Sequence, residues 1–204
     1  MIRALENYET LQKVINYYSS LEERFDLFFS VEKGIFVTGS IKHVYKALEQ
    51  LKNEFKIISE NQLFLDAGSG DGRICIIASL LGLQSYGIEY HPEITNSSIL
   101  NITNLEAKGL FQNGFKIPSI IQGDFFDDSA YEKLGIKFGE FNIIFNFVTY
   151  HENLTQKIVK ESPKGTIFIL HSPCPINFSP EGMELVREIP LNGIFQILYV
   201  YKKI

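Results

Sequence analysis

The chain has 204 residues, of which 45 % are hydrophobic and 13 % aromatic. This composition suffices for one domain with a sizeable core, and it excludes a disordered, collagen-like or mucin-like chain. The formal charge is −5, from 19 basic and 24 acidic residues. That balance argues against a protein that covers a long stretch of nucleic acid, which needs a basic face. The longest nearly apolar run, 74–81, is far shorter than the ~20 residues of a membrane span.

The two cysteines do not form a disulfide scaffold. Cys75 lies inside the apolar run, which is typical of a small core residue, and Cys174 lies between two prolines. The first ten residues carry Arg3, Glu6 and Glu9, so no apolar signal core is visible there. We therefore expect a cytoplasmic, reducing setting without membrane attachment.

The first 60 residues are predicted to form a helical cap. Apolar residues between Leu5 and Tyr18 recur at steps of three and four, which indicates an amphipathic helix. A second short helix is predicted over Leu21–Phe29 and a loop over Gly34–Gly39. Ser40 is then a suitable N-cap for a helix whose apolar residues follow at the same spacing.

Beyond residue 60 the pattern alternates between strands and helices, which predicts a mostly parallel sheet covered by helices on both faces. The predicted strands are Leu63–Leu65, Ser85–Glu89, Ile117–Gln122, Phe141–Asn146 and Thr166–His171. The predicted helices are Arg73–Leu81, Pro92–Lys108 and Glu152–Glu161. Two final strands, Leu185–Leu191 and Ile194–Tyr201, flank Asn192-Gly193, a strong hairpin signal that predicts an antiparallel end to the sheet.

The first strand of this region leads into a glycine-rich turn. It ends at Asp66, and the sequence Gly68-Ser69-Gly70-Asp71-Gly72 then opens a helix at Arg73. Glycines allow a ligand to approach the backbone closely, and a helix N-terminus offers free N–H groups. The strand before and the helix after this turn favour a ligand-binding loop over a plain tight turn.

Three positions in the sequence narrow the choice of ligand class for this loop. A dinucleotide fingerprint requires a third glycine where this chain has Arg73. Glu89, at the end of the second strand, suits the ribose of either a nicotinamide or an adenosyl ligand, unless it is only a solvated strand end. Asp124 follows the third strand, where an acid can bond the adenine amine, unless it is a plain turn residue. The pattern therefore favours an adenosyl ligand.

Taken together, D-A-G-S-G-D-G-R, G-I-E-Y, Q-G-D-F and the terminal hairpin resemble the class I, seven-strand S-adenosylmethionine-dependent methyltransferases. The resemblance covers about residues 62–203. It implies an α/β three-layer sandwich with strand order 3-2-1-4-5-7-6, strand 7 antiparallel, as a domain over 61–204. It also implies S-adenosylmethionine as the cofactor.

The same resemblance implies the contacts of the cofactor. Gly68, Ser69 and Gly70 would surround its methionine part, together with Asp66 and Ala67 at the strand end. Glu89 would hold the ribose, and Asp124 with Phe125 would flank the adenine. Asn146, which ends the fourth strand, is counted among both the cofactor-binding and the catalytic residues. No metal is expected.

A narrower resemblance concerns the acceptor. The chain resembles the small archaeal and mitochondrial protein-lysine methyltransferases that are related to the non-SET histone-lysine enzymes. The resemblance lies in the sequence G-S-G-D-G-R-I, in the preceding Phe36-Val37-Thr38 segment and in Asn146-Phe147. The entry segment departs from the family's Pro-Thr-Pro type, and Asn146 to Tyr150 lack the Asn/Asp-Pro-Pro-Tyr element of amino-methylating DNA and RNA enzymes. A protein lysine is the implied acceptor, and nucleic acid is less favoured.

Lysine methylation requires the side-chain amine in its neutral form. The reference pKa of a lysine is ~10.4, so this amine is mostly protonated at pH 7. An aromatic, water-poor channel disfavours the charged form, and Phe36, Phe147 and Tyr150 are suited to line one. Asn146, Phe147 and Tyr150 are therefore the candidate catalytic residues. A small-molecule or RNA methyltransferase and a non-catalytic adenosyl-binding protein remain as alternatives, and the sequence does not determine the oligomeric state.

Overall fold

The computed structural model describes residues 2–22, 29–30, 34–35, 40–111, 115–191 and 196–204. The helices within these ranges are α1 (Ile2–Glu22), α2 (Ile41–Asn53), α3 (Arg73–Leu80), α4 (Pro92–Ala107), α5 (Asp128–Leu134) and α6 (His151–Glu161), with a 3-10 turn at Phe138–Glu140. The strands are β1 (Phe29–Ser30), β2 (Gly34–Ile35), β3 (Leu63–Ala67), β4 (Gln84–Glu89), β5 (Ser119–Gln122), β6 (Ile143–Phe147), β7 (Ile167–Ser172), β8 (Met183–Pro190) and β9 (Ile197–Lys203).

Seven strands form one sheet in the order β5-β4-β3-β6-β7-β9-β8. Counted along the chain within this sheet, the order is 3-2-1-4-5-7-6, which confirms the predicted topology. The pairs from β5 to β7 are parallel, whereas β9 runs antiparallel to both β7 and β8. The strand order reverses between β3 and β6, so this is the switch point of the sheet.

Helices cover both faces of the sheet, each over its own hydrophobic cluster. On one face, α1, α2, α3 and α4 pack over side chains such as Phe64 and Ile169. On the other face, α5 and α6 cover residues such as Leu65 and Phe168. Every residue of α3 is buried, because this helix lies between the sheet and the two N-terminal helices. Helices α1 and α2 therefore share the core of the sheet, and the division at residue 60 stays a prediction.

The N-terminal region differs from the prediction in one place. Helix α1 continues to Glu22, and Phe29, predicted to end a second helix, lies instead in β1. Here Phe29–Ser30 pairs antiparallel with Gly34–Ile35, part of the predicted loop. Two-residue strands that pair through their backbones are too short for an apolar period to reveal them, which explains the difference. The Phe36-Val37-Thr38 segment lies outside the described residues.

The C-terminal strands form the predicted antiparallel pair, in register from Met183 opposite Lys203 to Pro190 opposite Ile197, with a bulge near Leu185. The predicted Asn192-Gly193 turn itself lies outside the described residues. Helix α5 was absent from the prediction. In the part of the chain that the structure describes, no helix is long and apolar enough to cross a membrane.

Candidate functional site

The site lies where the carboxyl ends of the parallel strands meet, beside the switch point. This edge carries the loop after β3, Glu89 at the end of β4, Asp124 after β5, Asn146 in β6 and His171 in β7. In open parallel sheets, ligands bind at this edge. The topology thus brings together residues that are more than a hundred positions apart in the chain.

The loop after β3 turns through three glycines with positive φ: Gly68 at 87°, Gly70 at 53° and Gly72 at 85°. Side chains with a Cβ rarely adopt these values, which is why glycine recurs here. The N–H groups of Gly68 and Ser69 donate to the carbonyl of Ile88 at 3.0 and 3.1 Å. These bonds tie the start of the loop to the end of β4.

Glu89 is part of this loop structure. Glu89 is buried, with only 6 % of its surface exposed. One carboxyl oxygen, Oε2, accepts from the Gly70 N–H at 2.9 Å, and Oε1 accepts from the His91 N–H at 2.9 Å. The alternative of a solvated strand end is therefore wrong. Each oxygen keeps a further lone pair, so the group can still accept from two vicinal hydroxyls, which fits a ribose.

Asp66 supports the same loop from beneath. It is buried, and burial followed by the neighbouring Glu89 raises the pKa of its carboxyl well above the usual range. The thiol of Cys75 lies 3.8 Å from its Oδ2. Because two adjacent buried carboxyl groups resist carrying two negative charges, Asp66 is held towards its neutral form. Cys75 is a core residue, as predicted.

Gly87 in β4 makes the close packing of the loop possible, a role that the sequence pattern did not reveal. A Cβ built on Gly87 would lie 2.7 Å from Oγ and Cβ of Ser69 and 3.0 Å from Sγ of Cys75. Any side chain at this position would push the loop away from β4. The missing Cβ therefore fixes where Ser69 and its neighbours sit.

An aromatic cleft of about 300 Å³ opens next to the loop and Glu89. The residues lining it are Tyr90, Asp124, Phe125, Phe126, Tyr150 and Asn153. The Phe125 ring reaches Gly68, since a Cβ there would lie 3.9 Å from its Cε1. Asp124 Oδ1 accepts from the Phe126 N–H at 2.9 Å, which orients the carboxyl at the rim. Aromatic faces beside an acceptor suit a flat, amine-bearing ring.

Asn146 occupies the centre of the edge and is 1 % exposed. Its Nδ2 donates to the Ala67 carbonyl at 2.7 Å, and among the described residues its Oδ1 has no hydrogen-bond partner. The Ala67 carbonyl can only accept, so the amide nitrogen has to face it and the oxygen faces away. A buried acceptor without a donor is costly, which suggests that a ligand supplies one.

Phe147 and His171 form the other part of this edge. They are register partners on β6 and β7, and their rings meet edge to face at 4.8 Å. Burial lowers the pKa of His171 to about 4, against a smaller opposing effect of the Gln196 side chain. Its Nε2 is buried without a partner in the described part of the chain. His171 is therefore a neutral imidazole at physiological pH.

Tyr150, the remaining catalytic candidate, and its neighbour His151 lie at the start of α6. Tyr150 is 43 % exposed, has a φ of 56° and precedes α6, and its ring lies 6.3 Å from that of Phe126 in the cleft. His151 begins α6 and its Nδ1 lies 3.1 Å from the Val148 carbonyl, which agrees with a helix-start residue. Thus Tyr150 belongs to the cleft, whereas Phe147 packs on His171.

Comparisons with known proteins give structural but no sequence matches. No protein-family model and no curated protein matches the chain. An RNA methyltransferase from Salinibacter ruber in complex with S-adenosyl-L-homocysteine is 21 % identical with a TM-score of 0.58, covering 82 % of this chain and 94 % of its own. Magnesium protoporphyrin IX methyltransferase from Synechocystis PCC 6803, with bound SAH, is 12 % identical with a TM-score of 0.56, covering 80 % and 83 %.

A third similar structure is a variant of MtNAS in complex with S-adenosylmethionine. It is 14 % identical with a TM-score of 0.60, and the match covers 97 % of this chain and 72 % of that one. Such coverage includes the N-terminal helices. At these identities the likeness establishes the fold. The chain has the α/β fold of the class I, seven-strand S-adenosylmethionine-dependent methyltransferases.

Proposed function

We propose that this chain is an S-adenosylmethionine-dependent methyltransferase. The observation that carries the proposal is the pairing of the buried Glu89 carboxyl with the Gly70 amide, next to the aromatic cleft bounded by Asp124 and Phe125. A vicinal diol and a purine are the two chemical groups that this arrangement fits. Both belong to an adenosyl ligand, and the methyltransferases of similar fold were crystallised with S-adenosyl-L-homocysteine.

In this proposal Glu89 holds the ribose hydroxyls, Phe125 and Tyr90 hold the adenine, and Asp124 accepts from its amine. The loop from Gly68 to Gly70 holds the methionine part. S-adenosylmethionine, when bound, supplies an electrophilic methyl group. The chain's own contribution is alignment of acceptor and methyl group and the exclusion of water, which together provide much of the rate.

For the acceptor we propose the side-chain amine of a protein lysine. Oδ1 of Asn146, which no described residue bonds, suits an N–H donor at the edge of the sheet. Phe147 and the neutral His171 lie at the same edge of the sheet, and their surface disfavours an ammonium ion. Making a lysine neutral at pH 7 costs about 4–5 kcal/mol in water, which such desolvation lowers. The resemblance in the motif at Gly68 to Ile74 supports the same substrate class.

A second candidate is transfer of a different carbon of the cofactor. The observation in its favour is that a match to MtNAS in complex with MTA and tNA covers 98 % of this chain. Methylthioadenosine is what remains of S-adenosylmethionine when its aminocarboxypropyl carbon is attacked in place of its methyl group. The two candidates therefore differ in the adenosyl product that accumulates.

Calorimetric titration with S-adenosylmethionine, S-adenosylhomocysteine and NAD tests the first step. We expect both adenosyl sulfur ligands to bind more tightly than NAD, and tighter NAD binding would refute the assignment. The protein is then incubated with a cell lysate and cofactor radiolabelled in its methyl group. Label in protein lysines, with release of S-adenosylhomocysteine, is the expected result. Label in RNA or metabolites refutes the lysine acceptor alone, and methylthioadenosine indicates the second candidate.

Phe147→Ala tests the acceptor position. Because Phe147 packs on His171 rather than in the cleft, we expect turnover to fall about tenfold or more while the Kd of S-adenosylmethionine stays within twofold. Tyr90→Ala, in the cleft, should show the opposite pattern. The wild-type rate at limiting chemistry should rise with pH as more acceptor lysine becomes neutral. Equal losses of affinity in both variants, or a rate flat from pH 6 to 9, would contradict the lysine proposal.

A further inference from the structure

Among the described side chains of helix α1, that of Tyr18 bonds to the glycine-rich loop at the backbone carbonyl of Asp71. The hydroxyl of Tyr18 donates to this oxygen at 3.0 Å, and Nδ2 of Asn101 in α4 donates to it at 3.1 Å. Tyr18 is 1 % exposed, so its bond is shielded from water. Two helices thus converge on one carbonyl between Gly70 and Gly72.

The side chains around this carbonyl hold Tyr18 in place. The buried Arg73 forms an ion pair with the partly buried Asp71, with Nη2 2.6 Å from Oδ2, and its guanidinium lies 4.8 Å from the centre of the Tyr18 ring. The hydroxyl of Tyr17 donates to Oδ1 of Asn101 at 2.9 Å, which orients that amide towards Asp71. Burial raises the pKa of Tyr18 well above its usual value, so the hydroxyl stays a donor.

The loop is also held by two of its own N–H groups. Gly70 donates to Glu89 at 2.9 Å, and Gly72 donates to the Ser69 carbonyl at 3.0 Å. A peptide unit is planar, so holding the Asp71 carbonyl also fixes the direction of the Gly72 N–H. The bonds from Tyr18 and Asn101 therefore fix the Asp71–Gly72 peptide, whose N–H closes the turn from Ser69 to Gly72 around Gly70.

We propose that Tyr18 is a positioning residue for the cofactor-binding loop, and that the docking of α1 and the binding of cofactor strengthen each other through the Asp71 carbonyl. This inference rests on the proposed function, because it takes S-adenosylmethionine as the ligand of the loop. Coupling between two sites is reciprocal: if α1 improves cofactor affinity, bound cofactor protects α1 by the same factor. The N-terminal helix is then part of the cofactor site without touching the ligand.

The test uses the full chain and hydrogen–deuterium exchange with and without S-adenosylhomocysteine. In the wild type we expect the amides of residues 11–18 to exchange more slowly when the ligand is bound. For Tyr18→Phe, which keeps the ring over Arg73, we expect the Kd of S-adenosylmethionine to rise three- to tenfold. Its turnover at saturating cofactor and its KM for the acceptor should stay unchanged, a split that general destabilisation would not produce.

Tyr8→Phe is the matched control, because Tyr8 lies on the same helix and is 65 % exposed; its Kd should equal that of the wild type. If Tyr18→Phe fails to fold, the exchange experiment on the wild type still decides. Ligand binding that leaves the exchange of α1 unchanged overturns this inference and leaves the proposed function standing. Absence of any adenosyl-ligand binding by the wild type overturns both.

Discussion

Replacing Glu89 with alanine is expected to weaken S-adenosylmethionine binding tenfold to a hundredfold. The carboxyl accepts from the amides of Gly70 and His91, and in the proposed complex it also accepts from the ribose hydroxyls. Charge-assisted hydrogen bonds in a partly dry site contribute roughly 1.5–3 kcal/mol, and each ~1.4 kcal/mol is tenfold in affinity. The loss is larger than for a rim residue because the same carboxyl also fixes the loop.

Calorimetry and thermal unfolding together check this expectation. Glu93→Ala is the control, because Glu93 is an exposed acid in the first turn of α4. This substitution removes the same charge close to Glu89. Glu89→Gln should fall between the two, since an amide nitrogen cannot accept from the His91 or Gly70 N–H. A dissociation constant unchanged in a folded Glu89→Ala protein would contradict both the ribose contact and the contribution of this carboxyl to the shape of the loop.

His171 is expected to make the fold less stable as the pH falls from about 6.5 to about 4. In the native state the pKa of this histidine is lowered to about 4, below the ordinary value of 6.5. Between these values the unfolded chain binds a proton that the native chain does not, so unfolding becomes easier with acidity. Relative to a pH below 4, the neutral histidine raises the free energy of unfolding by about 3 kcal/mol, at ~1.36 kcal/mol per pKa unit. This gain is complete above pH 6.5.

Urea unfolding of wild type and His171→Phe at pH 7 and pH 5 measures this effect. The variant should lose less free energy of unfolding between the two pH values, because its ring does not titrate. Leu170→Ala is the control: it removes packing from the neighbouring position of β7, which is fully buried, and should lower stability equally at both pH values. An identical pH dependence in His171→Phe would contradict the buried, neutral state of His171.

The sequence predicted those parts of the fold that depend on local patterns. Alternating apolar strands and helices indicated the parallel sheet, and two apolar runs near the end indicated the antiparallel pair β8 and β9. Helix α5 was missed, because its seven residues are too few for a 3.6-residue period to stand out. Its start is marked only by Asp127, whose side chain accepts from the Ser129 N–H and caps the helix.

The candidate site was predictable only where the chain itself brings the residues together. Gly68, Gly70 and Glu89 follow from the ends of two successive strands, whereas the ion pair of Asp71 and Arg73 is a finding of the structure. Arg73 of that pair is buried against Tyr18 of α1. The contact of Tyr18 with Asp71 joins positions 53 residues apart, and no periodicity or motif encodes such a pairing.

The position of β9 has a consequence for how the chain assembles. This strand is the last of the sheet along the chain, yet it lies between β7 and β8 and pairs with both. Until residues 197–203 are available, β7 presents an unpaired edge, and unpaired edges recruit other chains. The hairpin of β8 and β9 can form locally and then add to β7 as a unit. Synthesis of the chain thus leaves the sheet open until its final strand arrives, which makes early pausing near residue 172 a risk for aggregation.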